Sequence, residues 1–165
     1  MKIEKISDIY EVLKGYTRKK RLVVAFANDS HSIEAVYMAV KAGLVEGILV
    51  GDTETIQGVC KENGYDESCF KIVHEPNDVR GAETAVEMIR NGEADVIMKG
   101  LVSTDKYMRA ILNKERGLVA PNAILSHVTV MECSSYHKLL TVSDVAVIPC
   151  PDLNQKISMI KYVTI

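Results

Sequence analysis

Short continuous apolar runs alternate along the chain with stretches in which apolar residues return every three or four positions. Ile3, Ile6, Ile9, Tyr10 and Leu13 predict an amphipathic helix ending near Gly15. Leu22–Ala27 is unbroken and apolar, as expected of a strand buried on both faces. Ile33, Val36, Tyr37 and Val40 then mark a helix face. Gly47–Val50 predicts the next strand, followed by Asp52, Thr53 and a helix to about Asn63. Phe70–Val73 predicts another, closed by His74-Glu75-Pro76, and Ala82, Ala85, Val86 and Ile89 repeat as the inner face of a further helix. Val96-Ile97-Met98 reads as a short strand covered on both faces, before a helix carrying Met108, Ile111 and Leu112. Ile124–Met131 and Val145–Ile148 predict two last strands. Asp152 with Gln155 resembles a capping box for a final helix carrying Leu153, Ile157 and Ile160.

This alternation predicts an α/β fold with a mainly parallel sheet and helices on both faces, three layers in all. No repeat, low-complexity tract or Pro/Gly-rich linker interrupts it. The final helix meets no stop signal before the apolar Tyr162-Val163-Thr164-Ile165, so we expect the chain to stop inside something larger.

The polar residues collect where strands end: Asn28–His31, Asp52-Thr53, Lys99–Thr104 and Ser143-Asp144. Open α/β sheets bind ligands at those ends. Lys99-Gly100-Leu101-Val102-Ser103-Thr104-Asp105 combines a lysine, a glycine turn and three capable helix caps. A helix N-terminus there offers free N–H groups and the positive end of the dipole, with Lys99 adding charge and Arg109 a bidentate fork. Together they suit a phosphate-bearing ligand. For Lys99 the alternative is a lysine snorkelling from a strand end, and for Arg109 an exposed helix arginine. His31 caps a helix or meets a ligand; His74 belongs to a turn, His127 to a hydrogen-bonded core and His137 to a loop. Of Asp29 and Asp144, one is expected as a helix cap and one as a ligand contact.

With 165 residues, 47% hydrophobic and 25% charged, the chain is globular and most simply one domain. Its formal net charge of -2 gives no reason to expect nucleic acid or an anionic membrane as partner. The basic run Arg18–Arg21 reads as a solvated loop. No apolar signal core and no stretch of roughly 20 apolar residues is present, which leads us to expect a cytoplasmic protein. Cys60, Cys69, Cys133 and Cys150 are scattered, without a CxxC pair or metal-ligand spacing, as expected of free thiols. The chain lacks GxGxxG, GxxxxGK[ST], GxSxG and HExxH, which argues against dinucleotide binding, triphosphate hydrolysis and the common hydrolases.

Val96–Asp105 resembles the phosphate acetyl/butyryl transferases, as do Leu125-Ser126-His127-Val128 and Leu139–Pro149 running on into Pro151-Asp152-Leu153. The acetyl branch typically has Ser-Gly where this chain has Lys99-Gly100, so the resemblance is to the butyryl branch. It implies one lobe of the two-lobed isocitrate/isopropylmalate dehydrogenase-like fold, with 1–150 as the lobe and 151–165 as the start of a helix toward a second one. It implies reversible acyl transfer between coenzyme A and phosphate (butanoyl-CoA + phosphate = butanoyl phosphate + CoA). Coenzyme A would be a substrate, with no bound cofactor and no metal, and the intact enzyme a homodimer. Lys99 and Arg109 would be the catalytic cations; Gly100, Ser103, Thr104, Asp29 and Asp144 would line the phosphate or acyl phosphate. The aspartate regarded as thiol base in the family, with its neighbouring serine and arginine, has no match here. The rival readings are a non-enzymatic lobe that binds acyl phosphate or coenzyme A, and a dehydrogenase-like enzyme, against which the missing dinucleotide fingerprint counts.

Overall fold

The computed structural model describes residues 2–164. In chain order the elements are α1 (Ile6–Lys14), β1 (Lys20–Ala25), α2 (Ser30–Lys41), β2 (Val45–Gly51), α3 (Thr53–Asn63), β3 (Phe70–His74), α4 (Asp78–Arg90), β4 (Val96–Lys99), α5 (Thr104–Leu112), β5 (Thr129–Met131), β6 (Leu140–Val142) and α6 (Leu153–Val163). A single 3-10 turn, Glu67–Cys69, precedes β3. The chain forms two compact units, Thr17–Leu118 and Met1–Tyr16 with Val119–Ile165, a division that falls within the 1–150 span expected as one lobe.

In the larger unit, Thr17–Leu118, four parallel strands stand in the order β3-β2-β1-β4. Because side chains alternate along a strand, β1 and β2 each feed two cores. Val23, Ala25, Ile48 and Val50 join Ala82, Ala85 and Val86 of α4 and Ala110 of α5. Val24 and Leu49 join Ile33 and Val36 of α2 and Ile56 and Cys60 of α3. This is the three-layer arrangement the alternation predicts. Each such Val, Leu or Ile contributes about 1.5–3 kcal/mol when fully buried. At the amino end of the sheet, Arg21 grips Asp95 with Nε to Oδ2 at 3.0 Å and Nη2 to Oδ1 at 3.0 Å. The guanidinium bonds, with the Arg21 N–H, hold the Asp95 carboxyl far below its ordinary range.

β4 departs from expectation. It pairs with β1 alone, so Val96 is 44% exposed on the open edge of this sheet instead of covered on both faces.

The second unit contains α1, α6 and an antiparallel β5–β6 hairpin, Thr129 opposite Val142 and Met131 opposite Leu140. The expected strand Ile124–Met131 shrinks to its last three residues. Val145–Ile148 is not a strand, and Leu140–Val142 takes that role. The reason is Asp144, whose Oδ1 accepts the N–H groups of Ala146 at 2.8 Å and Val147 at 2.9 Å. A side chain that takes those donors turns the backbone away from a ladder. The capping box of α6 is present, Gln155 N–H to Asp152 Oδ1 at 2.9 Å and Asp152 N–H to Gln155 Oε1 at 2.8 Å. The helix ends at Val163 with Thr164 as its C-cap instead of running on, and Ile165 lies outside the described residues.

Candidate functional site

From β1 the chain winds outward to β2 and β3, then returns to β4 on the other side of β1. α2 and α5, which follow β1 and β4, pack on opposite faces of the sheet, so the carboxyl ends of these two strands form a topological switch point.

The loop after β4 follows β1 closely. Gly100 N–H donates to the Ala25 carbonyl at 3.0 Å and Leu101 N–H to the Phe26 carbonyl at 2.8 Å. A Cβ on Gly100 would collide with the Phe26 oxygen and stand 2.9 Å from that of Ala25, so glycine is required for this close approach. Ser103 caps α5 with a long bond from Lys106 N–H at 3.4 Å. By helix geometry the N–H groups of Thr104 and Asp105 have no intrahelical acceptor. Lys99, the last residue of β4, is exposed and pairs in register with Ala25. Lys99, Gly100, Ser103 and Thr104 thus lie on one turn.

The loop after β1 is tied to the rest of the sheet. Ala27 N–H donates to the Val50 carbonyl at 2.7 Å, and Asn28 Oδ1 accepts Asp52 N–H at 2.9 Å. Asp29 is the N-cap of α2, its Oδ1 accepting Ser32 N–H at 2.8 Å, while its Oδ2 is buried without a partner. Asp52 caps α3 through Thr55 N–H at 2.9 Å and Thr55 Oγ1 at 2.6 Å, which lowers its pKa. His74 Nδ1 meets the Thr53 hydroxyl at 3.0 Å and accepts its N–H at 3.3 Å, so His74 braces the start of α3.

Arg109 lies apart from this turn. Its Nε bonds Asp105 at 3.2 Å, and it lines a groove of about 810 Å³ between α4 and α5 that also holds Arg80, Lys106 and Arg116. Lys99, Gly100, Ser103 and Thr104 are not among the residues lining that groove. Lys106 is bound to Asp78 at 2.6 Å.

Asp144 lies in the second unit. Besides Ala146 and Val147 it accepts His127 N–H and the Ser126 hydroxyl, both at 3.0 Å. Burial pushes the Asp144 carboxyl up, but the donors from Val147, Ala146, His127 and Ser126 outweigh it and hold the group far below its ordinary range. A carboxylate so engaged anchors its own turn and repels phosphate. The ring of His127 stands 3.1 Å from the Thr129 hydroxyl.

Phe26 has no counterpart in the sequence reading beyond its place in an apolar run. It holds φ 64°, a value a bulky side chain rarely takes, and nothing in its residue type signals that. Asn28 was legible only as one member of the polar stretch Asn28–His31. Among the described residues no group of three or more His, Cys, Asp or Glu stands ready for a metal ion, and no helix is long and apolar enough to cross a membrane.

The fold is that of a parallel α/β protein whose topological switch point carries an anion-suited turn. The chain belongs to the phosphate acetyl/butaryl transferase family, whose model matches residues 75–162. It is 40% identical over 158 residues to the phosphate butyryltransferase of Clostridium acetobutylicum, covering 96% of this chain and 52% of that protein. It is 33% identical over 157 residues to the phosphate acetyltransferase of Thermotoga maritima, covering 95% and 52%. The chain therefore spans about half the length of these relatives. A branched-chain phosphotransacylase from Enterococcus faecalis shares the fold with a TM-score of 0.69 at 22% identity, over 86% of this chain and 49% of that one.

Proposed function

We propose that this chain takes part in the reversible transfer of an acyl group, butyryl by preference, between coenzyme A and inorganic phosphate, and that Lys99–Thr104 holds the phosphate. Family membership and the 40% identity to a phosphate butyryltransferase support the reaction class. The observation that carries the site is the turn itself, where Lys99, the Ser103 hydroxyl and the first N–H groups of α5 share one short segment at the switch point. In the reaction the thiolate of coenzyme A attacks the acyl carbonyl, a C–S bond forms and the C–O bond to phosphate breaks. The departing phosphate gains charge, and Lys99 with the N–H groups of α5 stabilises it. Arg109 serves as a second cation once released from Asp105. Coenzyme A is a substrate here, and no bound cofactor or metal enters the proposal. We further propose a cytoplasmic enzyme that is a homodimer at the length of its relatives, with 1–150 forming the phosphate-side lobe.

The thiol needs a base, since near pKa 8.5 only a few per cent is ionised at pH 7. Within these residues Asp29 caps α2, Asp52 caps α3 and Asp144 anchors a turn. We infer that the base is not among them. The test is phosphate-dependent release of free thiol from butyryl-CoA by the purified 165-residue chain, with phosphate binding followed by NMR. Phosphate binding with little or no turnover is expected. Sustained turnover would show that the base lies within these residues, and absent phosphate binding would overturn the site.

A further inference from the structure

We propose that Phe26 is a positioning residue for the phosphate site, an inference that rests on the phosphate-binding reading above. Phe26 sits between β1 and the loop that starts α2, at φ 64°. Left-handed backbone is unfavourable for a bulky aromatic and persists only where the surroundings over-determine it.

Three contacts do so. The Phe26 carbonyl accepts Leu101 N–H at 2.8 Å, and the next residue, Ala27, donates to the Val50 carbonyl at 2.7 Å. The ring lies on Gly81 of α4, where an added Cβ would stand only 3.2 Å from ring Cδ2, and packs against the core that holds Val23, Ala82 and Ala85. Relaxing φ to a negative value would swing the carbonyl away from Leu101 and Ala27 N–H away from Val50. One residue therefore joins three things: the turn after β4, the end of β2 and the face of α4. Its ring packs on α4, so the residue acts through its backbone: it keeps Lys99 and the start of α5 in fixed register with the loop that opens α2.

The experiment titrates the whole chain with inorganic phosphate and follows the backbone amides of Thr104 and Asp105 by NMR, with amide exchange at Leu101 read in parallel. In Phe26→Leu the phosphate Kd is expected to rise about tenfold, as for a small misplacement of a binding group, and Leu101 exchange to quicken. Phe26→Tyr, which keeps the ring on Gly81, is expected to retain wild-type affinity and slow Leu101 exchange. Gly81→Ala, which leaves Phe26 in place and crowds its ring, weakens phosphate a few-fold and remains available if Phe26→Leu does not fold. Unchanged affinity in both Phe26→Leu and Gly81→Ala would overturn the positioning role and leave the site standing. Amides of the wild-type chain that ignore phosphate would overturn the site and this inference with it.

Discussion

Gly100 lies against the carbonyl oxygen of Phe26 so closely that no side chain fits between them. The contact places the β4–α5 turn on the end of β1, where the proposed phosphate cradle forms. Gly100→Ala is expected to lower stability by about 1–3 kcal/mol, the usual cost of overpacking. Gly58→Ala is the contrast. Gly58 lies within α3, and a Cβ there meets nothing within 4 Å. That change should raise stability by about 0.5–1 kcal/mol through helix propensity. Urea unfolding midpoints of the two variants decide the matter; equal effects would contradict the close approach at Gly100.

Lys99 is exposed and makes no ion pair among the described residues, whereas Arg109 is held by Asp105. Lys99→Ala should leave stability within about 0.5 kcal/mol, as for most surface changes, and weaken phosphate about tenfold, the loss of a charge-assisted bond. The defect should shrink as salt rises. Asp105→Asn should tighten phosphate about threefold, the scale of one exposed ion pair, by freeing Arg109. A phosphate titration showing no change in Lys99→Ala would remove that lysine from the site.

Two carboxylates shape the acid limb of stability. Arg21 depresses the pKa of Asp95, and the donors around Asp144 overcome its burial to depress that one. A depressed folded pKa contributes stability above the unfolded carboxylate value near 3.9, and that contribution is lost as pH falls through the folded value. Asp95→Asn and Asp144→Asn should therefore cost most stability at pH 7 and progressively less as pH falls from 4 toward 2. Thermal melts across that range check it; a deficit that persists undiminished at pH 2 would mean packing and not charge.

The four thiols should react in a set order. Ser135 hydrogen-bonds Cys133 Sγ at 3.2 Å and lowers its pKa, while burial raises that of Cys60. Cys133 is exposed and Cys60 is 1% exposed. With a disulfide reagent Cys133 should react first and remain reactive to lower pH than an ordinary thiol near 8.5, and Cys60 only on unfolding. Ser135→Ala should move the Cys133 rate profile upward in pH. Simultaneous modification of Cys60 and Cys133 in the folded chain would contradict the packing of α3.

The sequence by itself determined the layers. Runs such as Leu22–Ala27 and faces such as Ala82, Ala85 and Val86 commit each segment to a period of 2.0 or 3.6, and burial of both faces of β1 and β2 follows. It also determined the capping box of α6, because Asp152 and Gln155 act within three residues of each other, and it offered Asp29 and Ser103 among the candidate caps of α2 and α5. Tertiary structure decided what depends on partners far along the chain. Val96 reads like a buried strand residue but lies on an open sheet edge, since only pairing determines which strand is outermost. Val145–Ile148 reads like a strand until the Asp144 carboxylate takes its N–H groups. Arg109 reads as one turn from the anion site, yet the packing of α5 on α4 directs it into the groove between them. Phe26 takes its left-handed backbone from Leu101, Val50 and Gly81, residues 24 to 75 positions away, and no local pattern records a conformation that distant contacts impose.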